Sequence, residues 1–136
     1  MSITWTKDLA VGILEIDNQH KELFERIKAL IEACYQGKGR IEIGKTVAFL
    51  EEYVETHFGT EENNMIKLQY PEYAAHKQQH IIFKNNFANI KHRLEEEGPG
   101  VHIIILTKQM VIEWLKSHIR TRDKEFGAYV QGRSSA

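Results

Sequence analysis

Apolar side chains return every third or fourth residue along four stretches of the chain, and the pattern breaks where glycine and proline fall. The first stretch carries His20, Leu23, Phe24, Ile27, Leu30, Ile31 and Cys34 on one stripe, the second Ile43, Val47, Leu50, Val54, His57, Phe58, Glu61 and Met65. The third reads Tyr73, His76, His80, Phe83, Phe87, Ile90 and Leu94, and the fourth Ile104, Val111, Trp114, Leu115 and His118. Spacings of three and four place such residues on the buried face of an amphipathic helix. Breaks at Gly37-Lys38-Gly39, Tyr70-Pro71 and Gly98-Pro99-Gly100 then predict helices over residues 17–37, 41–64, 71–97 and 101–129. Asp17 is the expected N-cap of the first helix, and Pro71 suits the first turn of the third. Residues 1–16 read as an irregular arm, apolar enough through Trp5, Leu9, Val11, Ile13 and Leu14 to pack on the helices. Residues 131–136 read as a frayed polar tail. No strand-type alternation and no internal repeat occurs. Short connections make sequential helices antiparallel neighbours, so the expected fold is all-α, an up-down-up-down four-helix bundle.

A length of 136 residues fits this as a single domain with a core of its own. The lone cysteine, Cys34, excludes an intrachain disulfide and any cysteine-rich zinc or iron–sulfur site. The formal net charge of -1 argues against a nucleic-acid binder, which would show a basic face. The opening Met1-Ser2-Ile3-Thr4-Trp5-Thr6-Lys7-Asp8 has no apolar signal-peptide core, and no apolar run approaches the roughly 20 residues that span a bilayer. A soluble, cytoplasmic protein is the expectation, with neither nucleic acid nor membrane as partner.

What changes the picture is histidine. Of seven, five fall on the apolar stripes: His20, His57, His76, His80 and His118, with Glu61 on the face of His57. His20 lies near the start of the first helix, His57 and Glu61 near the end of the second, His76 and His80 near the start of the third, and His118 late in the fourth. In an up-down-up-down bundle these places share one end. Burying them without partners would cost about 1–3 kcal/mol per group, more for the carboxylate. A shared cation answers that cost, because neutral imidazoles and carboxylates are transition-metal ligands. Taken singly, each group has an ordinary explanation; together on four inward stripes they point to metal. His92 and His102 fall off the stripes or at a helix start and read as solvent histidines, and Glu22, Glu62, Glu95, Glu96 and Glu97 as solvated face. Gly59 reads as room for close packing beside the centre.

His57/Glu61 and His76/His80 are i,i+4 pairs that project from adjacent turns. Asp123 follows His118 by five residues, off the face of a regular helix, yet the apolar stripe slips with it and continues as Phe126 and Val130. One inserted residue, a π-bulge, corrects both, and is predicted between His118 and Asp123. Seven protein ligands exceed what one ion takes; two ions bridged by carboxylates would use them all.

Four segments resemble the bacterial hemerythrins: residues 12–23 ending in Asp17-Asn18-Gln19-His20-Lys21-Glu22-Leu23, then His57-Phe58-Gly59-Thr60-Glu61-Glu62, His76-Lys77-Gln78-Gln79-His80, and Trp114-Leu115-Lys116-Ser117-His118-Ile119 leading to Asp123. The resemblance spans about Trp5 to Tyr129 and lacks no ligand. It implies a non-haem di-iron centre with an oxo or hydroxo bridge that binds dioxygen reversibly. His76, His80 and His118 would hold one iron, His20 and His57 the other, and Glu61 and Asp123 would bridge them. Leu23, Phe58, Trp114, Leu115 and Ile119, with Phe126 nearby, would line a dry oxygen pocket. A histidine-rich set with two carboxylates favours binding over oxygen activation, for which di-iron oxidases use more Glu. The expected role is carriage, storage or scavenging rather than an enzyme. The alternatives are an oxygen- or redox-sensing module of a signalling protein and, further off, a di-iron oxidase or peroxidase; the mixed donor set disfavours a zinc or iron-storage bundle.

Overall fold

The structure, a computed structural model, describes residues 4–135; Met1, Ser2 and Ile3 of the arm and Ala136 of the tail lie outside the described residues. Four helices form, each packed on its sequence neighbour, with the fourth also against the first: α1 (Leu14–Tyr35), α2 (Arg40–Lys67), α3 (Tyr73–Glu97) and a long α4 over residues 101–135. The antiparallel four-helix bundle read from the stripes is the fold observed. Its core is made of the stripe residues, among them Leu23, Phe24, Ile27, Leu50, Phe83 and Leu115, all at or near zero exposure. Each such side chain contributes about 1.5–3 kcal/mol by burial. Among the described residues no helix is long and apolar enough to cross a membrane.

Helix ends differ from the sequence reading in instructive ways. α1 starts at Leu14, one turn before Asp17. The Asp17 carboxylate instead accepts the backbone N–H of Val11 at 2.8 Å and of Gly12 at 3.3 Å, so it serves the arm rather than its own helix end. Pro71 sits in the turn before α3, where the Tyr73 N–H reaches back to the Tyr70 carbonyl at 3.2 Å. α4 runs on to Ser135, so residues 131–135 are helical rather than frayed. Docking explains the extension: the Tyr129 hydroxyl donates to the Leu68 carbonyl at 2.8 Å, and the Gln131 amide reaches the Gly12 carbonyl at 3.4 Å.

The arm is a strap along α4. Asp8 pairs with Arg120 at 3.0 Å, the 3-10 turn Lys7–Leu9 packs against residues 119–123, and the Val11 carbonyl lies on Gly127. A Cβ at Gly127 would stand 2.0 Å from that oxygen, so the close approach needs glycine. Gly12, at φ +88°, takes the left-handed turn that brings the arm onto α1.

α4 is not a uniform α-helix. Two π-helical turns, Lys108–Glu113 and Ile119–Asp123, alternate with α-helical Val101–Thr107, Trp114–His118 and Lys124–Ser135. The second is the bulge expected between His118 and Asp123; the first was not anticipated. Both answer one need. Thr107, Val111, Leu115, Ile119 and Asp123 are all buried and follow one another at every fourth residue. At about 100° per residue an unbroken α-helix would turn Asp123 about 160° away from Thr107. Each π-turn inserts one residue and pulls the row back to the core.

Candidate metal centre

His20, on the second turn of α1, meets His57 and Glu61 from the end of α2, His76 and His80 from the start of α3, and His118 and Asp123 from α4. All seven are buried, with exposures of 0–3%. They form two groups whose nearest donor atoms lie within 4.8 Å of one another: His76, His80, His118 and Asp123, and His20, His57, Glu61 and Asp123. Asp123 belongs to both. Its Oδ1 is 2.9 Å from His76 Nε2 and 3.2 Å from His118 Nε2, and its Oδ2 is 3.1 Å from His20 Nε2. Glu61 also faces both groups. Its Oε1 is 2.8 Å from His57 Nε2 and 3.8 Å from His80 Nε2, and its Oε2 is 3.8 Å from His76 Nε2.

The Nε2 atoms of all five histidines and both oxygens of both carboxylates have no hydrogen-bond partner. At two histidines the reason is explicit. His57 Nδ1 lies 2.7 Å from Gln19 Oε1, while Gln19 Nε2 donates to Thr60 Oγ1 at 3.3 Å and that hydroxyl donates to the Thr56 carbonyl at 3.0 Å. The carbonyl fixes the hydroxyl, the hydroxyl fixes the amide, and the amide oxygen requires His57 Nδ1 to carry the proton. His57 Nε2 then presents a lone pair toward Glu61 Oε1. His80 Nδ1 likewise donates to Glu62 Oε2 at 2.7 Å. Such outer partners fix tautomer and orientation at metal-bound histidines. Imidazole and carboxylate donors about 3 Å apart, out of water and without hydrogen-bond partners, are an arrangement that a shared cation satisfies.

Burial dominates the titration of these groups. Burial, with His20 close by, pulls His57 well below the usual imidazole value, and burial pulls His80 down to about 4 despite Glu62. Burial and the neighbouring Asp123 charge push Glu61 well up. Burial pushes Asp123 up too, but His118, His20 and His76 outweigh it and hold the group well below the carboxylate range. Partial burial also pushes Glu62 up, and the His80 bond with Lys84 and Lys77 more than reverses it.

Several surrounding residues lie where the sequence suggests and others do not. Leu23, Phe58, Leu115, Ile119 and Phe126 are buried. The Phe58 ring stacks on His80 at 3.8 Å and 4°, and half-buried Trp114 stacks on His118 at 4.6 Å and 11°. His92 is exposed beside Glu96, as read. His102 is half-buried with its Nε2 enclosed, not a solvent histidine. Glu62 is not solvated face: its side chain is 16% exposed and holds His80. Gly59 does no close packing, since a Cβ there would meet nothing within 4 Å. Gln19 and Glu62 are the functional residues that stripe reading passes over. Their signal is indirect: a histidine offering one nitrogen inward needs an acceptor for the other, and here it comes from the adjacent helix, from the chain neighbour of His20 or Glu61.

Comparison with known proteins agrees with this geometry. Residues 11–130 match the hemerythrin HHE cation binding domain. The chain is 32% identical over 126 residues to bacteriohemerythrin of Methylococcus capsulatus, covering 92% of this chain and 94% of that one. To bacteriohemerythrin of Stenotrophomonas maltophilia it is 30% identical over 129 residues, 95% of this chain and 82% of the other. A crystal structure of wild-type hemerythrin superposes with a TM-score of 0.82 at 32% identity, covering 92% of this chain and 95% of that one. With the four-helix fold, the buried histidine–carboxylate groups and a family match over most of its length, the chain belongs to the hemerythrin family.

Proposed function

We propose that the protein binds dioxygen reversibly at two iron ions held by His20, His57, Glu61, His76, His80, His118 and Asp123, and so carries, stores or scavenges it. The carrying observation is the pair of buried donor groups that share Asp123, whose inward nitrogens and carboxylate oxygens are left without hydrogen-bond partners. His76, His80 and His118 would hold one ion and His20 and His57 the other, with Glu61 and Asp123 shared between them. With three imidazoles against two, the second ion would have a protein ligand fewer and could take a small molecule. When bound, the ferrous pair supplies two electrons and an accessible position for dioxygen.

The protein's own groups do the rest. Gln19 and Glu62 hold the His57 and His80 tautomers, so the donors need no rearrangement when metal arrives. Phe58 and Trp114 fix ring planes by stacking. Leu23, Leu115 and Ile119, each at 0% exposure, keep water from the open position. Excluding water there limits the protons and anions that would drive irreversible oxidation.

The test is anaerobic loading with ferrous iron, admission of dioxygen, then purging with inert gas while the visible spectrum is followed. Two irons per chain and a colour that comes and goes with the gas are expected. Permanent oxidation in the first cycle, or fewer than two irons, overturns the proposal.

A further inference from the structure

A groove of about 270 Å3 opens at the pole of the bundle that holds the metal centre, lined by Ile13, Glu15, Asn64, Leu68, Phe126 and Val130. Helix register gives its depth. Asn64 stands three residues beyond Glu61 on α2, and Phe126 three beyond Asp123 on α4, so each lies one turn outward of a carboxylate. Oxygen donors sit at the rim, on exposed Glu15 and half-buried Asn64. The floor is the Phe126 ring, 1% exposed and packed on Tyr70 at 5.0 Å. A second groove of about 270 Å3 lies between α2 and α3, over Val54 and Phe87. By register the Phe58–Phe83 ring pair stands between it and the histidines, and its rim charges are already paired, Lys84 with Glu55 and Lys91 with Glu51.

We propose that ferrous iron reaches the centre through the groove at this pole, with Glu15 and Asn64 as its first oxygen ligands and Phe126 as the gate. The inference rests on the di-iron reading above. A hydrated dication sheds water only where other oxygen donors replace it. Glu15 and Asn64 at the rim, then Glu61 and Asp123 one turn inward, offer that succession; on the other side the rim carboxylates Glu51 and Glu55 are held by lysines and two rings, Phe58 and Phe83, lie behind them. For passage the Phe126 ring must turn out into the groove. The cost of exposing a buried phenylalanine holds the open population down by about tenfold to a hundredfold.

A gate differs from a ligand in one measurable way: it changes the rates of entry and exit by the same factor and leaves the equilibrium alone. The experiment follows anaerobic uptake of ferrous iron by the metal-free protein, and its removal from the loaded protein by a bipyridyl chelator. Phe126→Ala should speed both by about tenfold to a hundredfold, with affinity and final iron content unchanged. Phe126→Leu, which keeps the core filled, should shift both the same way by less. Leu68→Trp, which fills the groove, should slow both, and Glu15→Gln should slow uptake. Phe87→Ala removes an equally buried ring away from this groove and should change neither rate. Equal acceleration by Phe126→Ala and Phe87→Ala would mean that iron enters by general loosening of the bundle, and would overturn the proposal. Unchanged rates in both Phe126 variants would do the same. The iron content of the unaltered protein, read in the same experiment, tests the di-iron reading separately, since a wrong gate still leaves two irons per chain.

Discussion

The Thr56–Thr60–Gln19–His57 chain makes a quantitative claim about metal affinity. Replacing Gln19 with Leu keeps the volume and removes the acceptor 2.7 Å from His57 Nδ1. A buried N–H left without its acceptor costs about 1–3 kcal/mol. His57 can escape that cost by moving its proton to Nε2, which then cannot bind metal. Either way the loss falls on the His20/His57 ion, and the expected drop in its affinity is about tenfold to a hundredfold, as for other outer-sphere partners. The ion proposed for His76, His80 and His118, of which His80 is oriented by Glu62, should be unaffected. Thr60→Val is the finer probe. Without the hydroxyl the Gln19 amide is free to flip and present its NH2 to His57, so a smaller loss, about fivefold for one hydrogen bond, is expected. Competition with a chelator of known affinity under anaerobic conditions, with iron counted at each step, measures both. The nitrogen chemical shifts of the His57 ring in the metal-free protein report the tautomer directly. Parental affinity for both ions in Gln19→Leu would show that the amide does not set the donor.

Three further outcomes follow from the geometry. Gly127→Ala drives a Cβ into the Val11 carbonyl, so the arm must retreat and part of the burial of Leu9 and Val11 is lost. Against a helix-propensity gain of about 1 kcal/mol, the net expectation is about 2–4 kcal/mol of destabilisation in urea unfolding, and an unchanged midpoint would show the arm unseated already. Leu115→Thr, at a fully buried position beside the centre, should speed oxidation of the iron pair by admitting water; an unchanged rate would show that another side chain keeps it dry. In the metal-free protein His57 and His80 are held below the imidazole value of the unfolded chain, so as pH falls below about 6.5 the unfolded state takes up protons that the fold refuses. Each such histidine removes about 1.4 kcal/mol of stability per pH unit, and the raised Glu61 offsets one of the two above its unfolded value. Stability should therefore fall from pH 6.5 toward about 4.5, and a flat profile over that window would contradict the burial argument.

The seven inward groups were legible because a polar residue on an apolar stripe contradicts its neighbours, and only a shared partner resolves five such contradictions at one end of a bundle. The bulge before Asp123 was legible for the same reason, since ligand and stripe slipped together. Its companion at Lys108–Glu113 left the same trace, the fourfold spacing through Thr107, Val111, Leu115 and Ile119. Thr107 hid it, because a threonine reads as polar surface until its hydroxyl is seen donating to the Ile103 carbonyl at 2.7 Å. Gln19 and Glu62 were out of reach of periodicity, which sorts residues by face and says nothing of the far nitrogen of an imidazole. Asp17 misled because a good capping residue can cap a neighbouring segment as readily as its own helix. The helical end of α4 depends on contacts with Leu68 and Gly12, more than fifty residues away in sequence, which local composition does not encode.

The two π-turns make the fourth helix a counted one. Between Thr107 and Asp123 the row stays aligned only because two surplus residues are absorbed, so losing a single residue from either wide turn would swing everything beyond it by about 100°. Shortening Lys108–Glu113 would rotate His118 and Asp123 together out of the cavity, whereas shortening Ile119–Asp123 would spare His118 and lose Asp123 alone. Variation in chain length is therefore tolerable at the hinges between helices and forbidden in the middle of this one, where spelling matters less than the number of letters.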